Sequence, residues 1–147
     1  MKNKDFWNGK NVLVTGADGF IGSWVAKTLI EKDANVITIV RDIKKKNNID
    51  ILNIKNNIDI ILGDIVNYDN CGRTINEYNI DTVFHIAAQA IVGPANKSPL
   101  STFESNIKGT WNILEACRLN GNVKRIVVAS SDKAYGQQKN LPYTEES

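Results

Sequence analysis

Five short runs of apolar, largely β-branched residues punctuate this chain, each separated from the next by a stretch of helical or mixed character. They are Asn11–Thr15, Val36–Val40, Ile58–Leu62, Thr82–Ala87 and Arg125–Ala129. The runs are continuously apolar rather than alternating, which marks strands covered on both faces. Strands of that kind alternating with helices predict an α/β fold, a doubly wound parallel sheet with helices on either side. The pattern stops after the fifth strand. Such sheets bind ligands beyond the carboxyl ends of their strands, so chemistry is sought in the loops that follow them.

The intervening helices can be placed. Phe20 to Lys32 carries Ile21, Trp24, Val25, Leu29 and Ile30 on one side. Asn67 to Tyr78 reads as a second helix. Ser98-Pro99 has the signature of an N-cap followed by proline at the first helical position. The helix it opens runs to about Asn120, with Phe103, Ile107, Trp111 and Leu114 along one apolar face and Gly121 suited to the C-terminal cap. Ile43 to Asn57, with Lys44-Lys45-Lys46, reads as a loop holding a short helix.

Composition narrows the function. The 147 residues suit one domain, and 18 Lys plus Arg against 16 Asp plus Glu leave a net charge of +2. That balance argues against nucleic acid or an anionic membrane as partner. No apolar run reaches the ~18 residues of a membrane span. The two cysteines, Cys71 and Cys117, fit neither a disulfide framework nor a zinc site, and one histidine, His85, leaves little for a metal centre. A cytoplasmic, metal-free domain is expected.

The first strand runs into Thr15-Gly16-Ala17-Asp18-Gly19-Phe20-Ile21-Gly22. Glycines at 16, 19 and 22, after a strand and opening a helix, form a spacing variant of the dinucleotide fingerprint. Glycine lets the backbone turn tightly and approach a pyrophosphate, whose charge then faces the helix N-terminus. A Rossmann-type NAD(P)-binding domain follows, with Gly16, Gly19, Phe20, Ile21 and Gly22 at the cofactor. At the end of the second strand, Val40 stands where an acid would favour NAD, and Arg41 follows. NADP or NAD remains possible; Arg41 tilts the expectation to NADP.

Further along, Gly63-Asp64-Ile65, His85-Ile86-Ala87-Ala88-Gln89, Asn106-Ile107-Lys108-Gly109-Thr110-Trp111-Asn112 and Ser130-Ser131-Asp132-Lys133-Ala134-Tyr135-Gly136 follow in order. Together with the glycine turn, they make the whole chain resemble the extended short-chain dehydrogenase/reductases, the nucleotide-sugar epimerases and dehydratases. The resemblance implies that Asp64 meets the adenine amino group and that Ile65 beside it belongs to the cofactor site. It also implies that Ala87, Ala88 and Gln89 let the backbone pass the cofactor, and that Asn106 makes a polar contact with cofactor or backbone. Gly109, costly inside a helix, implies close packing. Trp111 and Phe103 read as core or subunit-contact residues, and a homodimer through the Ser98–Asn120 helix is implied for the full-length protein.

The same resemblance assigns chemistry. Ser131 would hydrogen-bond the sugar C4 oxygen while NAD(P)+ takes hydride from C4. Asp132 would protonate the departing C6 hydroxyl, with Lys133 as an orienting charge. The Ser-Asp-Lys order, with Phe6-Trp7-x-Gly9-Lys10 and Gly22-Ser23-Trp24, looks most like the CDP-glucose 4,6-dehydratase branch. Alternatives are a nucleotide-sugar epimerase or reductase, and a non-catalytic NAD(P)-binding fragment. The family's catalytic Tyr-x-x-x-Lys helix is expected beyond Ser147. Tyr135-Gly136-Gln137-Gln138-Lys139 matches the pattern only literally. The chain is expected to be an incomplete cofactor domain, 1–147, without its substrate domain.

Overall fold

Five strands form one sheet: β1 (Asn11–Thr15), β2 (Asn35–Val40), β3 (Ile58–Leu62), β4 (Thr82–His85) and β5 (Arg125–Val128). Their order is β3-β2-β1-β4-β5, and every neighbouring pair is parallel. The computed structural model describes residues 6–42, 47–138 and 141–146. β1 and β3 have the bounds expected from their apolar runs. β4 ends two residues early for a local reason: the Ile86 and Ala87 N–H groups turn aside to the Thr15 hydroxyl, at 3.1 Å each.

The helices are α1 (Phe20–Ile30), α2 (Asn48–Ile51), α3 (Tyr68–Glu77), α4 (Val92–Lys97), α5 (Pro99–Phe103) and α6 (Gly109–Leu119). A π-helical turn, Glu104–Lys108, joins α5 to α6, so the helix expected from Ser98 carries a bulge. α4 was not expected. α2 is the short helix foreseen in the 43–57 stretch, capped by the Asn47 side chain accepting from Asp50 N; Lys44–Lys46 lie outside the described residues. Asn67 caps α3 in the same way. Asn120, not Gly121, ends α6.

The strands divide their side chains between two apolar layers. Val12, Val14, Val36 and Val40 pack with Ala26 and Leu29 of α1. Leu13, Ile37, Ile39 and Val83 face the other way, onto Cys71 and Ile75 of α3 and Ile113, Ala116 and Cys117 of α6. The ion pairs among the described residues are surface pairs such as Lys27–Glu31 and Arg73–Glu77. Each is worth under ~1 kcal/mol, so the two apolar layers hold the fold.

Two helix faces differ from expectation. On α1 the packed side is Gly22, Ser23, Ala26 and Leu29, while Ile21 and Trp24 are 64% and 50% exposed. On the long helix, Gly109, Asn112, Ile113, Ala116 and Cys117 are buried, and Phe103, Ile107, Trp111 and Leu114 stand exposed. In both cases small residues let the helix axis come close to the sheet, and the large side chains point outward. Gly109 is tight against the loop after β3 as well: a Cβ there would lie 2.7 Å from Ile65 Cδ1. No helix among the described residues is long and apolar enough to cross a membrane.

Candidate cofactor crevice and active-site turn

The chain leaves β1 toward β2 on one side and leaves β4 toward β5 on the other. This reversal opens a crevice at the carboxyl ends of the two central strands. One wall is the glycine turn. Gly16 has φ +74°, a left-handed conformation that favours glycine, and a Cβ on it would stand 3.0 Å from N and Cα of Ala87. A Cβ on Gly22 would collide with the Gly16 carbonyl oxygen. Gly19 is the N-cap of α1, with extended backbone. It has no side chain to cap α1, and the first turn carries no acid, so the positive end of the helix is left for an anion. Phe20 and Ile21 stand exposed beside it.

The opposite wall is the loop after β4, and it is tied down by side chains. Thr15 Oγ1 accepts from Ile86 N and Ala87 N and lies 2.8 Å from His85 Nδ1. His85 Nε2 lies 3.0 Å from Thr110 Oγ1, which donates to Asn106 O at 2.7 Å. The Asn106 side chain accepts from Gln89 N at 2.7 Å and donates to Gln89 O at 3.2 Å. Of the two contacts open to Asn106, it makes the backbone one. Ala88, on the same loop, is exposed. His85 is 2% exposed, and burial pushes its pKa below the ordinary value.

The crevice continues toward β2 and β3. After β2, Arg41 Nε donates to Asp42 Oδ2 at 3.0 Å, and that carboxylate raises the guanidinium pKa. After β3, Asp64 Oδ1 accepts from Val66 N at 3.0 Å. Ile65 is different: its side chain is core, packed against Gly109, and its carbonyl accepts from Asn112 Nδ2 at 2.9 Å.

One strand beyond β4, at the same edge of the sheet, β5 delivers the Ser131-Asp132-Lys133 turn. Ser131 caps the 3₁₀ turn Asp132–Tyr135, its Oγ accepting from Lys133 N. The same hydroxyl donates to Asp132 Oδ1 at 3.1 Å, and Lys133 Nζ donates to Asp132 Oδ2 at 3.2 Å. The Lys133 and Ser131 hydrogen bonds lower the Asp132 pKa, so the carboxyl is ionised here. Tyr143 closes the turn from outside: it stacks on Tyr135 at 5.5 Å and donates to Gly136 O at 3.0 Å. Tyr135 belongs to the 3₁₀ turn, and Lys139 lies outside the described residues.

Residues 13–147 match the family model described as GDP-mannose 4,6 dehydratase. The chain belongs to this family. It is thereby an extended short-chain dehydrogenase/reductase, from the nucleotide-sugar dehydratase and epimerase group. CDP-glucose 4,6-dehydratase of Salmonella typhimurium is 34% identical over 140 residues, covering 95% of this chain and 39% of that enzyme. Among solved structures, UDP-glucose 4-epimerase from Bifidobacterium longum, in complex with NAD+ and UDP, superposes with a TM-score of 0.80. It is 30% identical and covers 93% of this chain and 42% of that one. The Stenotrophomonas maltophila UDP-glucose-4-epimerase, with bound NAD and formylated UDP-arabinopyranose, is 31% identical at a TM-score of 0.79, over 92% and 41%. The chain thus spans about two fifths of the length of these relatives.

Within the family frame, the expected residues fall into two groups. Gly16, Gly19, Phe20, Ile21, Gly22, Ala87, Ala88, Gln89 and Asn106 form or brace the crevice at β1 and β4, with Arg41 and Asp64 at the ends of the next two strands. Ser131, Asp132 and Lys133 form the separate turn after β5. Thr15 and Thr110 were missed as site residues, although each lies inside a quoted motif: Thr15 is the hydroxyl that ends an apolar strand, and Thr110 is one turn on from Asn106.

Proposed function

We propose that this chain is the cofactor-binding part of a nucleotide-sugar 4,6-dehydratase. The observation that carries the reading is the Ser131-Asp132-Lys133 turn, in which one carboxylate is bound by both neighbours at the sheet edge that also bears the crevice. The cradle between Gly16 and Gly22, closed to any Cβ, and the uncapped start of α1 suit the pyrophosphate of a nicotinamide dinucleotide. When bound, that cofactor would supply a hydride acceptor for the sugar C4 and return the same hydride at C6 after water is lost, so that the net change is the loss of one water. Ser131 then orients the C4 hydroxyl. Asp132 faces the C6 oxygen; once substrate has displaced Lys133 and lifted the carboxyl pKa, it takes up a proton from solvent and passes it to the departing hydroxyl. A ketone at C4 acidifies the C5 proton, which makes loss of the C6 hydroxyl as water feasible. The acceptor for the C4 hydroxyl proton is taken to be the Tyr of a Tyr-x-x-x-Lys helix in a longer chain.

NAD is the favoured cofactor in this reading. The two solved relatives carry NAD, and Asp42 occupies the guanidinium from which an NADP preference was expected. The exposed apolar row Phe103, Ile107, Trp111 and Leu114 supports a homodimer. A cytoplasmic setting belongs to the same reading. The second reading is a 4-epimerase, supported by the solved relatives being epimerases. To separate them, the native-length protein is incubated with NAD+ and a panel of CDP-, UDP- and GDP-hexoses. A dehydratase yields a product lighter by one water; an epimerase yields an isomer of unchanged mass. An unchanged substrate throughout would overturn both.

A further inference from the structure

We propose that His85 is a positioning residue whose hydrogen bonds, running in one fixed direction, set the shape of the crevice wall it never faces. The inference rests on the reading of that crevice as a dinucleotide site. The direction follows from counting protons. Thr110 Oγ1 has a single hydrogen and donates it to Asn106 O at 2.7 Å. Toward His85 Nε2, 3.0 Å away, it can only accept, so Nε2 carries the ring proton. Nδ1 is then bare and accepts from the Thr15 hydroxyl at 2.8 Å. The two lone pairs of Thr15 Oγ1 are taken by Ile86 N and Ala87 N, at 3.1 Å each. Every hydroxyl and ring proton along this relay is used once, and both lone pairs of Thr15 Oγ1 are filled.

The relay links three elements: β1 through Thr15, the wall loop through Ile86 and Ala87, and the bulged helix through Thr110 and Asn106. Asn106 grips the far end of the same loop through both polar groups of Gln89. The loop is therefore held at both ends, and the end that Thr15 holds, Ile86 and Ala87, is what meets Gly16.

The relay works with a neutral imidazole alone. A second ring proton, on Nδ1, would point at a hydroxyl whose lone pairs are already committed, and Thr15 would have to release Ile86 or Ala87. Among the described residues the elements around the ring offer no countercharge: β1 presents Thr15, β5 presents Val128 in register, and the helix presents Thr110. Acid should thus loosen the wall. Because His85 is the chain's one histidine, a transition between pH 5 and 7 is assignable to it.

The test is NAD+ affinity of the native-length protein from pH 8 to pH 5, with circular dichroism confirming a folded chain at each point. Affinity is expected to be level near neutrality and to weaken on the order of tenfold per pH unit at most below the ring's pKa. His85→Asn is expected to bind more weakly and without that transition. At pH 8, Thr110→Ser should bind like wild type, and the isosteric Thr110→Val on the order of tenfold more weakly. Equal affinity at pH 5 and pH 8, or Thr110→Val binding as tightly as Thr110→Ser, overturns the proposal. Amide exchange at Ile86 and Ala87 provides a readout without cofactor: faster exchange in Thr110→Val than in Thr110→Ser supports the relay even if no nicotinamide cofactor binds. Equal exchange overturns it whatever the chain binds.

Discussion

Gly22 and Gly16 touch: the position a Cβ would take on Gly22 is occupied by the carbonyl oxygen of Gly16. The first turn of α1 is thus pressed against the loop that precedes it, and neither backbone can retreat without moving the crevice. Gly22→Ala is expected to lower stability by about 1–3 kcal/mol, the usual cost of overpacking, and to abolish cofactor binding. Gly121→Ala, in a turn with nothing within 4 Å and no positive φ, is the control and should be close to neutral. Urea unfolding and cofactor titration of both variants provide the check.

Thr38 is fully buried in β2, and its Oγ1 has no hydrogen-bond partner among the described residues. Leaving a hydroxyl dry and unpaired costs about 1–3 kcal/mol. Thr38→Val keeps the shape and removes the hydroxyl, so the midpoint of urea unfolding should rise with an unchanged slope. A lower midpoint would mean that the hydroxyl has a partner in solution.

Folding stability itself should depend on pH through His85. Burial lowers the folded-state pKa of the ring, whereas the unfolded chain keeps the ordinary value of about 6.5. The unfolded state takes up the proton first, so stability is complete above about pH 6.5 and declines as pH falls below it. The slope approaches ~1.4 kcal/mol per pH unit between the two pKa values. His85→Asn should flatten this part of the profile; a wild-type profile already flat from pH 7 to pH 5 would refute the assignment.

In the native-length enzyme, Asp132→Asn should block loss of water more than oxidation at C4. The amide keeps the size of the side chain, can accept from only one of Ser131 and Lys133, and has no transferable proton. Single-turnover absorbance of the reduced nicotinamide would then accumulate rather than pass. Equal loss of both steps would remove Asp132 from the elimination.

The strands were legible because their signal is local. Ile58–Leu62 is a run of β-branched and aliphatic residues with one aspartate, and it folds as the strand it resembles. Helix faces were less legible because burial followed size rather than hydrophobicity. Ser23 and Asn112 are buried while Trp24 and Trp111 are not, since a close helix–sheet approach admits only small or well-bonded side chains. The glycine turn announced itself by spacing. The Thr15–His85–Thr110 ties did not, because they join residues 70 and 25 positions apart.

The parallel pairing of β1 with β4 also has a consequence for the order of events during synthesis. β1 finds β2 across a separation of 24 residues, but its partner on the other side lies 70 residues downstream. Closing the longer loop costs more entropy, and its second end leaves the ribosome last. The segment from β1 to β3 can therefore assemble first, complete with all three glycines of its turn. It has no crevice at that stage, because the wall that Gly16 closes against is Ala87. A nascent chain released before β4 would carry the whole glycine signature and nothing to press it against.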